Sequence, residues 1–452
     1  MKIIWKEVEE PECDCPKQVV LSEDTMRERK EKVISQMDEA GYDYLVVYCD
    51  LEHGANFEYL TGFVTRFEEA LLIIGKDKTY LIAGNENVNK AEISRMPVEP
   101  ILYPEFSLPN QPLKGKEKLE DIFGKIGIQD KRVGVAGWKL FEDVSLFDVP
   151  CWIVESLRQT AGRLENATEI FISPETGARI TNNANEIAHY EYGAALASSG
   201  ILKAMKSVRE GISETELGTL LNGHGQRGSV VTIAAAGKRF EHAVIYPTEK
   251  IVKKGDALSL TVGYKGGLQS RAGFAAESGL DLPERQKGYL EELAIPYFKA
   301  VVIWLENIRT GMSGGMLYSM IEEVLPAGKF CWSLNPGHLC ADEEWLASPV
   351  YKESEAVLKS GMILQFDIIP SVEGYAGVSC EGGIALADAG LQEKIKHSYP
   401  EKYETFMKRR EYMRKILGIR VSDEILPMGN ADAYYKPFML STKALAVERA
   451  AI

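Results

Sequence analysis

Two histidines and two acidic residues in the second half of the chain have the residue types and spacing for acid–base or metal chemistry. His242 lies in the segment AAAGKRFEHAVIYP, and His338 lies in NPGHLCADEEW. Asp367 and Glu381 lie on the two strand-like segments that follow His338. An imidazole exchanges protons near neutral pH, and carboxylates on successive strands can face one cleft. These four residues are the first candidates for a functional site.

A repeated segment relates the two histidines to each other. Residues 251–261 read IVKKGDALSLT and residues 357–367 read VLKSGMILQFD, and each copy follows one of the histidines. The second copy ends on the carboxylate of Asp367, whereas the first ends on the hydroxyl of Thr261. Two related half-domains that face each other would bring these strand ends to one site. The residues at the strand ends then decide whether that site can hold a metal.

The elements around these residues predict two domains. Strand-like and helical segments alternate in the first part of the chain, which indicates an α/β domain over 1–168. Asn, Thr, Gly and Pro accumulate around 156–185, which is typical of a boundary. The order helix, helix, strands then occurs twice, which predicts a second domain over 169–452 with an internal pseudo-twofold and a C-terminal extension. The predicted fold class is α/β (α+β).

Composition limits the classes of binding partner and the cellular locations that we expect for the protein. The net charge of −14 argues against a nucleic-acid partner and against attachment to an anionic membrane. No apolar run approaches the ~20 residues of a membrane span, and the charged N-terminus lacks the apolar core of a signal peptide. The seven scattered cysteines favour reduced thiols over a disulfide framework. We therefore expect a cytoplasmic protein without a membrane or nucleic-acid partner.

These residues resemble a known family. The segment NFEYLTGFVTRFEEALLIIG (56–75) is similar to the N-terminal domain of the creatinase and prolidase branch. The second domain resembles the pita-bread fold of the creatinase, aminopeptidase P, prolidase and methionine aminopeptidase group. Metallopeptidases of that group hold two metal ions with two Asp, one His and two Glu. Matched one at a time, the five ligand positions fall at Thr261, Arg271, His338, Asp367 and Glu381.

The resemblance implies that both carboxylates of the first half have been replaced. A guanidinium stays protonated and cannot bind a metal, and the hydroxyl of Thr261 is a poor ligand for Mn²⁺, Co²⁺ or Zn²⁺. We expect Arg271 to repel divalent ions and to pair with Asp367 or Glu381. The expected cofactor is therefore none. The alternative is one weakly bound divalent metal such as Mn, Co or Zn on His338 and the two acids.

Creatinase has this fold and hydrolyses a C–N bond without a metal, so the resemblance implies a metal-independent hydrolase of an amidino or amide bond. His242 would move protons between water and the leaving nitrogen. The substrate would be a small molecule that carries both a cation and a carboxylate, and the chain would form a homodimer. The residues expected to bind the substrate are His338, Asp367, Glu381, Arg271 and Arg66, the last in GFVTRF.

Three alternatives remain open from the sequence. The first is an Xaa-Pro aminopeptidase or dipeptidase with a reduced metal site. The second is a non-catalytic pita-bread protein that binds a peptide or small molecule in the old cleft. The third is a carbon–sulfur lyase on the same scaffold. The sequence does not identify the substrate.

Overall fold

The computed structural model of the chain describes residues 1–13, 17–110, 117–242 and 244–449. The chain forms two compact units, and their limits differ from the predicted division at residue 168. One unit is continuous, from Leu21 to Ile180, and the other combines Met1–Val20 with Thr181–Ile452. The N-terminal segment belongs to the second unit because its first strand pairs with the last strand of the chain, with Lys2 opposite Glu448.

The continuous unit is built on a mixed six-stranded sheet. Strand β1 (Lys2–Glu7) precedes this unit in the chain and belongs to the other unit. The strands and helices of the continuous unit are α1 (Glu23–Ala40), β2 (Tyr44–Cys49), α2 (Ala55–Thr61), β3 (Ala70–Gly75), β4 (Thr79–Ala83), β5 (Glu99–Leu102), α3 (Leu119–Ile126), β6 (Arg132–Ala136), α4 (Cys151–Thr160), β7 (Arg163–Asn166) and α5 (Glu169–Ile172). The strand order is β5-β4-β3-β2-β6-β7. Strands β2 and β3 consist almost entirely of buried apolar residues, as expected for strands that are covered on both faces.

The second unit carries two four-stranded sheets and most of the long helices. Its elements are α6 (Ala184–Ser207), α7 (Glu214–Leu221), β8 (Ile233–Ala236), α8 (Lys238–Glu241), β9 (Ala257–Tyr264), β10 (Gly267–Phe274), α9 (Ile295–Asn307), α10 (Gly314–Val324), α11 (Ala327–Phe330), β11 (His338–Leu339), β12 (Ile363–Gln365), β13 (Ser379–Glu381), β14 (Gly383–Leu386), α12 (Ala389–Ser398), α13 (Pro400–Lys415), β15 (Ile425–Pro427) and β16 (Lys443–Glu448). The sheet orders are β13-β10-β9-β8 and β11-β12-β14-β15. The predicted α/β (α+β) fold class is confirmed.

Local sequence explains where the helices of this unit begin. The side chain of Asn183 accepts hydrogen bonds from the backbone of Asn185 and Glu186, and this capping box starts α6. Ser213 and Glu216 form the capping box that starts α7. Among the described residues, no helix combines the length and the apolar character that a bilayer span requires.

The hairpin of β9 and β10 and its neighbours position the candidate site. The hairpin turns at Lys265 and Gly266, so that Thr261 stands opposite Ser270. Gly266 has a φ of +94°, and a Cβ there would lie 2.1 Å from the backbone oxygen of Tyr190, so the turn requires glycine. On the other side of β10, Ser270 stands opposite Glu381 of β13. Thr261, Ser270 and Glu381 therefore lie side by side across three strands.

Candidate active site

The structure brings three of the predicted residues together in the second unit. His338 begins β11, Asp367 follows β12, and Glu381 ends β13. One ligand atom from each side chain lies within 4.8 Å of the others. All three side chains are buried. An imidazole and two carboxylates thus share one protected site.

The imidazole of His338 is fixed in orientation, and one of its nitrogens has no hydrogen bond among the described residues. Its Nδ1 lies 3.2 Å from the backbone oxygen of Leu339, and its ring stacks on Trp345 with centroids 4.1 Å apart. Its Nε2 lies 3.1 Å from Glu344 Oε1 and 3.8 Å from Asp367 Oδ2. Nε2 is buried and has no hydrogen-bond partner among the described residues, and its contact with Glu344 is an ion pair only when the ring is protonated.

The positive charge near the carboxylates of the site does not offset the effect of their burial. Burial raises the pKa of Asp367 to about 6, with His338 opposing and Glu344 reinforcing this shift. Burial and the charges of Asp367 and Glu344 raise the pKa of Glu381 well above its ordinary value. Burial lowers the pKa of His338, but Glu344 and Asp367 outweigh it, so the net shift is upward. In the described part of the chain, no Lys or Arg forms an ion pair with these three carboxylates.

A neutral side chain connects the carboxylates. Gln365 Nε2 lies 3.3 Å from Glu381 Oε1 and 3.4 Å from Glu344 Oε1. The other end of the Gln365 amide is fixed, because its Oε1 accepts a hydrogen bond of 2.9 Å from the backbone of Leu268. This amide orients two acids of the site without adding a compensating charge.

The first half of the unit contributes hydroxyl groups to the same face. Thr261 Oγ1 and Ser270 Oγ form a hydrogen bond of 2.8 Å. Side chains alternate between the two faces of a strand, and Ser270 stands directly between Thr261 and Glu381. Ser270, rather than Arg271, therefore occupies the site-facing position of β10. The sequence match to the second aspartate had assigned Arg271 to this position, and that assignment is wrong.

Arg271 faces the opposite side of the sheet, where backbone oxygens surround its guanidinium. Its Nε donates to Tyr434 O at 2.9 Å, and its Nη1 donates to Ser270 O at 2.7 Å and to the backbone oxygen of Glu381 at 2.6 Å. Its Nη2 donates to Ala431 O and, at 3.2 Å, to Gln269 Oε1. The expectation that Arg271 pairs with Asp367 or with the Glu381 carboxylate, and so repels metal ions, is therefore wrong.

Among the described residues, His242 forms no contact with this cluster, and Arg66 belongs to the other unit. His242 is exposed at the end of α8, and its side chain has no hydrogen-bond or ion-pair partner among the described residues. Arg66 belongs to the continuous unit, where it is exposed and lies over the ring of Phe67 at 5.2 Å. The proton-transfer role of His242 and the carboxylate-binding role of Arg66 stay predictions.

The sequence did not reveal Glu344 and Trp345 as site residues. Both lie in the segment NPGHLCADEEW, so an acidic run directly after His338 was visible. Three consecutive acids could each face the site, and only the path of the loop selects Glu344. Trp345 gave no signal because a lone tryptophan is compatible with any packed surface.

The donor atoms of this cluster fit one divalent cation. A metal-binding histidine commonly places its other ring nitrogen against a backbone carbonyl, which is the arrangement of His338 with Leu339. The unpaired Nε2 together with two carboxylates supplies three ligands of the types that divalent metals accept. The paired strands β9 and β10 add only the hydroxyl groups of Thr261 and Ser270 on this face.

Comparison with known proteins supports the fold. Residues 29–170 match the family model of the creatinase/prolidase N-terminal domain. This match confirms the resemblance that the sequence indicated for the first domain. No curated protein sequence matches the chain.

Solved structures with the same fold cover both parts of the chain. A prolidase from Thermococcus sibiricus superimposes with a TM-score of 0.63 at 17% identity, over 82% of this chain and 95% of its own. The Xaa-Pro dipeptidase from Bacillus anthracis gives 0.61 at 17% identity, over 81% and 96%. An X-Pro aminopeptidase from Thermotoga maritima gives 0.60 at 16% identity, over 79% and 94%. At these identities the likeness establishes the fold of the chain.

Proposed function

We propose that the protein is a hydrolase of short peptides that uses one divalent cation at His338, Asp367 and Glu381. The observation that carries the proposal is the burial of these three side chains with an unpaired imidazole nitrogen. Carboxylates without a counter-ion are costly to bury, and a bound cation offsets that cost. Perturbed titratable groups clustered in this way are typical of functional sites.

The substrate class follows from the structural relatives. The solved structures compared above are named as a prolidase, an Xaa-Pro dipeptidase and an X-Pro aminopeptidase. We therefore propose a peptide bond before proline as the first substrate to test. This proposal corresponds to the alternative that the sequence left open, a peptidase with a reduced metal site.

Each part of the site has a definable task in such a reaction. A divalent ion held by His338, Asp367 and Glu381 would supply Lewis-acid polarisation of the scissile carbonyl. The contacts of His338 with Leu339 and Trp345 hold its Nε2 towards the carboxylates. The hydrogen bond between Thr261 and Ser270 uses one hydroxyl hydrogen, so the other remains a donor for the substrate. Gln365 keeps the carboxylate of Glu381 in place.

The main argument for the hypothesis of metal-independent amidino-bond hydrolysis no longer holds. That hypothesis required the positive charge of Arg271 in the pocket, and this guanidinium instead binds backbone oxygens on the other face. It also required His242 as the proton carrier, and the exposed imidazole of His242 has no contact that supports or opposes the role. Metal-independent turnover remains an outcome that the experiment below can detect.

The test measures metal content and turnover on the same purified chain. After chelation, the protein is reconstituted with Mn²⁺, Co²⁺ or Zn²⁺, and bound metal is determined by elemental analysis. Release of proline from Xaa-Pro dipeptides is then followed, with Xaa-Ala dipeptides as matched substrates. We expect one ion per chain and a rate that depends on it. Glu381→Gln should abolish both, because it removes a charged ligand while keeping the side-chain shape.

Two results would contradict the proposal. Cleavage of an amidino compound by the chelated protein would restore the creatinase-like hypothesis. A chain that binds Xaa-Pro peptides tightly but releases no product with any of the three ions would favour the non-catalytic alternative.

We retain the homodimer as a separate proposal, in which Arg66 of one subunit would reach the substrate carboxylate in the cleft of the other. Light scattering on the purified chain determines its mass in solution. If the chain is dimeric, Arg66→Ala should raise KM at least about tenfold without changing metal content, since a charge-assisted contact contributes roughly 1.5 kcal/mol or more. A monomer with full activity rules out the role of Arg66.

A further inference from the structure

A closed loop follows His338 and returns to the same strand. The backbone nitrogen of Leu339 donates to Ala347 O at 2.7 Å, and that of Leu346 donates to Leu339 O at 2.8 Å. These bonds form an isolated antiparallel bridge between Leu339 and Ala347. The intervening residues 340–345 therefore form a loop whose two ends are joined beside His338.

Asp342 ties this loop to the hairpin and to α6. Its carboxylate, which is 5% exposed, accepts a hydrogen bond of 3.1 Å from the hydroxyl of Tyr190 and lies 3.6 Å from Lys265 Nζ. The backbone oxygen of Ala341 accepts a hydrogen bond of 2.6 Å from Gly266 in the turn of the hairpin. The loop is thus held at its centre as well as at its ends.

The path of the loop brings Glu344 to the open nitrogen of His338. Glu344 Oε1 lies 3.1 Å from Nε2, and the nearest oxygen of Asp367 lies 3.8 Å from the same atom. Two ligands of one tetrahedral or octahedral ion lie roughly 3 to 3.5 Å apart when each bond is about 2.1 Å long. The distance to Glu344 lies within that spacing, and the distance to Asp367 is slightly longer.

The hairpin on the opposite side of the site supplies no charge. Thr261 and Ser270 hold hydroxyl groups where a two-metal site needs carboxylates. A single imidazole with two carboxylates would therefore be a sparse ligand set for a buried ion. Glu344 is a third carboxylate, and its side chain contacts the cluster from the direction of the loop.

We propose that Glu344 is a fourth protein ligand of the ion and replaces the charge that the hairpin lacks. This inference rests on the proposed function, because it concerns the same cation site. Three carboxylates and one imidazole form an oxygen-rich set, which suits Mn²⁺ better than a thiolate-binding metal. Six-coordinate Mn²⁺ also keeps positions free beyond four protein ligands, so a substrate can still reach it.

The experiment is a Mn²⁺ titration of the full chain, with the EPR signal of free Mn²⁺ as the readout. Wild type, Glu344→Gln and Glu343→Gln are compared after chelation. Glu343→Gln is the matched control, since it removes the same charge from the same loop one residue earlier. We expect one ion per chain in the wild type, at least a tenfold weaker affinity in Glu344→Gln, and a change below twofold in Glu343→Gln.

A second variant keeps the inference testable if Glu344→Gln does not fold. Asp342→Asn leaves every proposed ligand in place but weakens the tie to Tyr190 and Lys265. If Glu344 is a ligand, release of the loop should also weaken Mn²⁺ binding several-fold, and mutation of Glu344 in that background should add little.

The outcomes separate this inference from the proposed function. If the wild type binds one ion and Glu344→Gln binds it equally well or more tightly, Glu344 is only an ion-pair partner of His338 and the inference is overturned. If the wild type binds no ion, the proposed function fails first, and the inference fails with it. An equal loss in Glu343→Gln and Glu344→Gln would also overturn the inference, because only the charge of the loop would then matter.

Discussion

Glu381 separates two buried charged regions that are organised in opposite ways. Its backbone oxygen accepts a hydrogen bond from Arg271, whereas its side chain belongs to the cluster with His338 and Asp367. On the arginine side, one guanidinium donates to four backbone oxygens and one amide oxygen. On the cluster side, three carboxylates surround one imidazole.

The difference indicates which region maintains the fold and which is available for chemistry. The donors of Arg271 are used by the protein itself, so this charge contributes to the packing of β10 against the segment around Tyr434. The carboxyl groups of Asp367 and Glu381 have raised pKa values because their burial is not compensated. A region whose charges are satisfied is structural, and a region that lacks a counter-ion is ready to bind one.

The largest effect is expected from the arginine side. Arg271→Met removes the donors of four buried backbone oxygens, and we expect a loss of about 4 kcal/mol of stability, as for a buried ionic group left without its partner. The shift of the urea unfolding midpoint measures it. Arg209→Met, at a side chain that is 61% exposed, is the matched control and should cost less than about 0.5 kcal/mol. Unchanged stability in Arg271→Met would remove the structural assignment.

A pH titration tests whether the buried charges on the side of Arg271 are fully compensated. Burial raises the pKa of Asp432 from 3.8 to about 6, and its hydrogen bonds with Gly429 and Gln269 and the nearby arginines only partly oppose this. Because the folded pKa lies above the unfolded value, the native state binds the proton more tightly. Stability should therefore fall as pH rises from about 4 to about 6, by up to roughly 3 kcal/mol.

Asp432→Asn isolates that contribution, since it removes the titrating group while other buried acids still titrate. Urea midpoints measured at pH 4.5 and 6.5 should differ less in Asp432→Asn than in the wild type. Parallel pH profiles of the two proteins would mean that Asp432 does not titrate in this range.

On the cluster side, two histidine variants should give opposite results. His338→Ala removes the imidazole ligand, and we expect Mn²⁺ affinity to fall at least about 100-fold, since even indirect contacts to a metal are often that important. His242→Ala should leave the affinity within twofold. Loss of turnover in His242→Ala with the ion retained would support its predicted proton transfer, whereas weaker Mn²⁺ binding would show that the ligand set is incomplete.

The smallest effect tests which residue of β10 faces the site. Ser270→Asp places a carboxylate opposite Glu381 and beside Thr261, so Mn²⁺ binding should tighten by about tenfold, or about 1.4 kcal/mol. The metal-free variant should be less stable, because another acid is buried. Asn has nearly the same volume as Asp but no charge, so Ser270→Asn should not tighten Mn²⁺ binding. If Ser270→Asp leaves Mn²⁺ affinity unchanged, Ser270 does not face the ion.

The sequence alone was sufficient to identify the main residues in the second half of the site. His338, Asp367 and Glu381 were recognised because each lies in a short motif at the end or start of a strand. The fold class was also predictable, since alternating strand and helix segments in a long apolar chain allow few architectures. Glu344 was not predictable, because its contact with His338 depends on hydrogen bonds of the loop to Tyr190 and Gly266.

The first half of the site required the tertiary structure for a different reason. The sequence determined the residue types at the positions that the resemblance matched to the two aspartates, namely a threonine and the pair Ser270 and Arg271. It did not determine which member of that pair faces the cleft, because the turn at Lys265 and Gly266 sets the register of β10. A shift of one residue moves every side chain of a strand to the other face. The strand pairing therefore decided that a hydroxyl faces the cluster and that the guanidinium is buried among backbone oxygens.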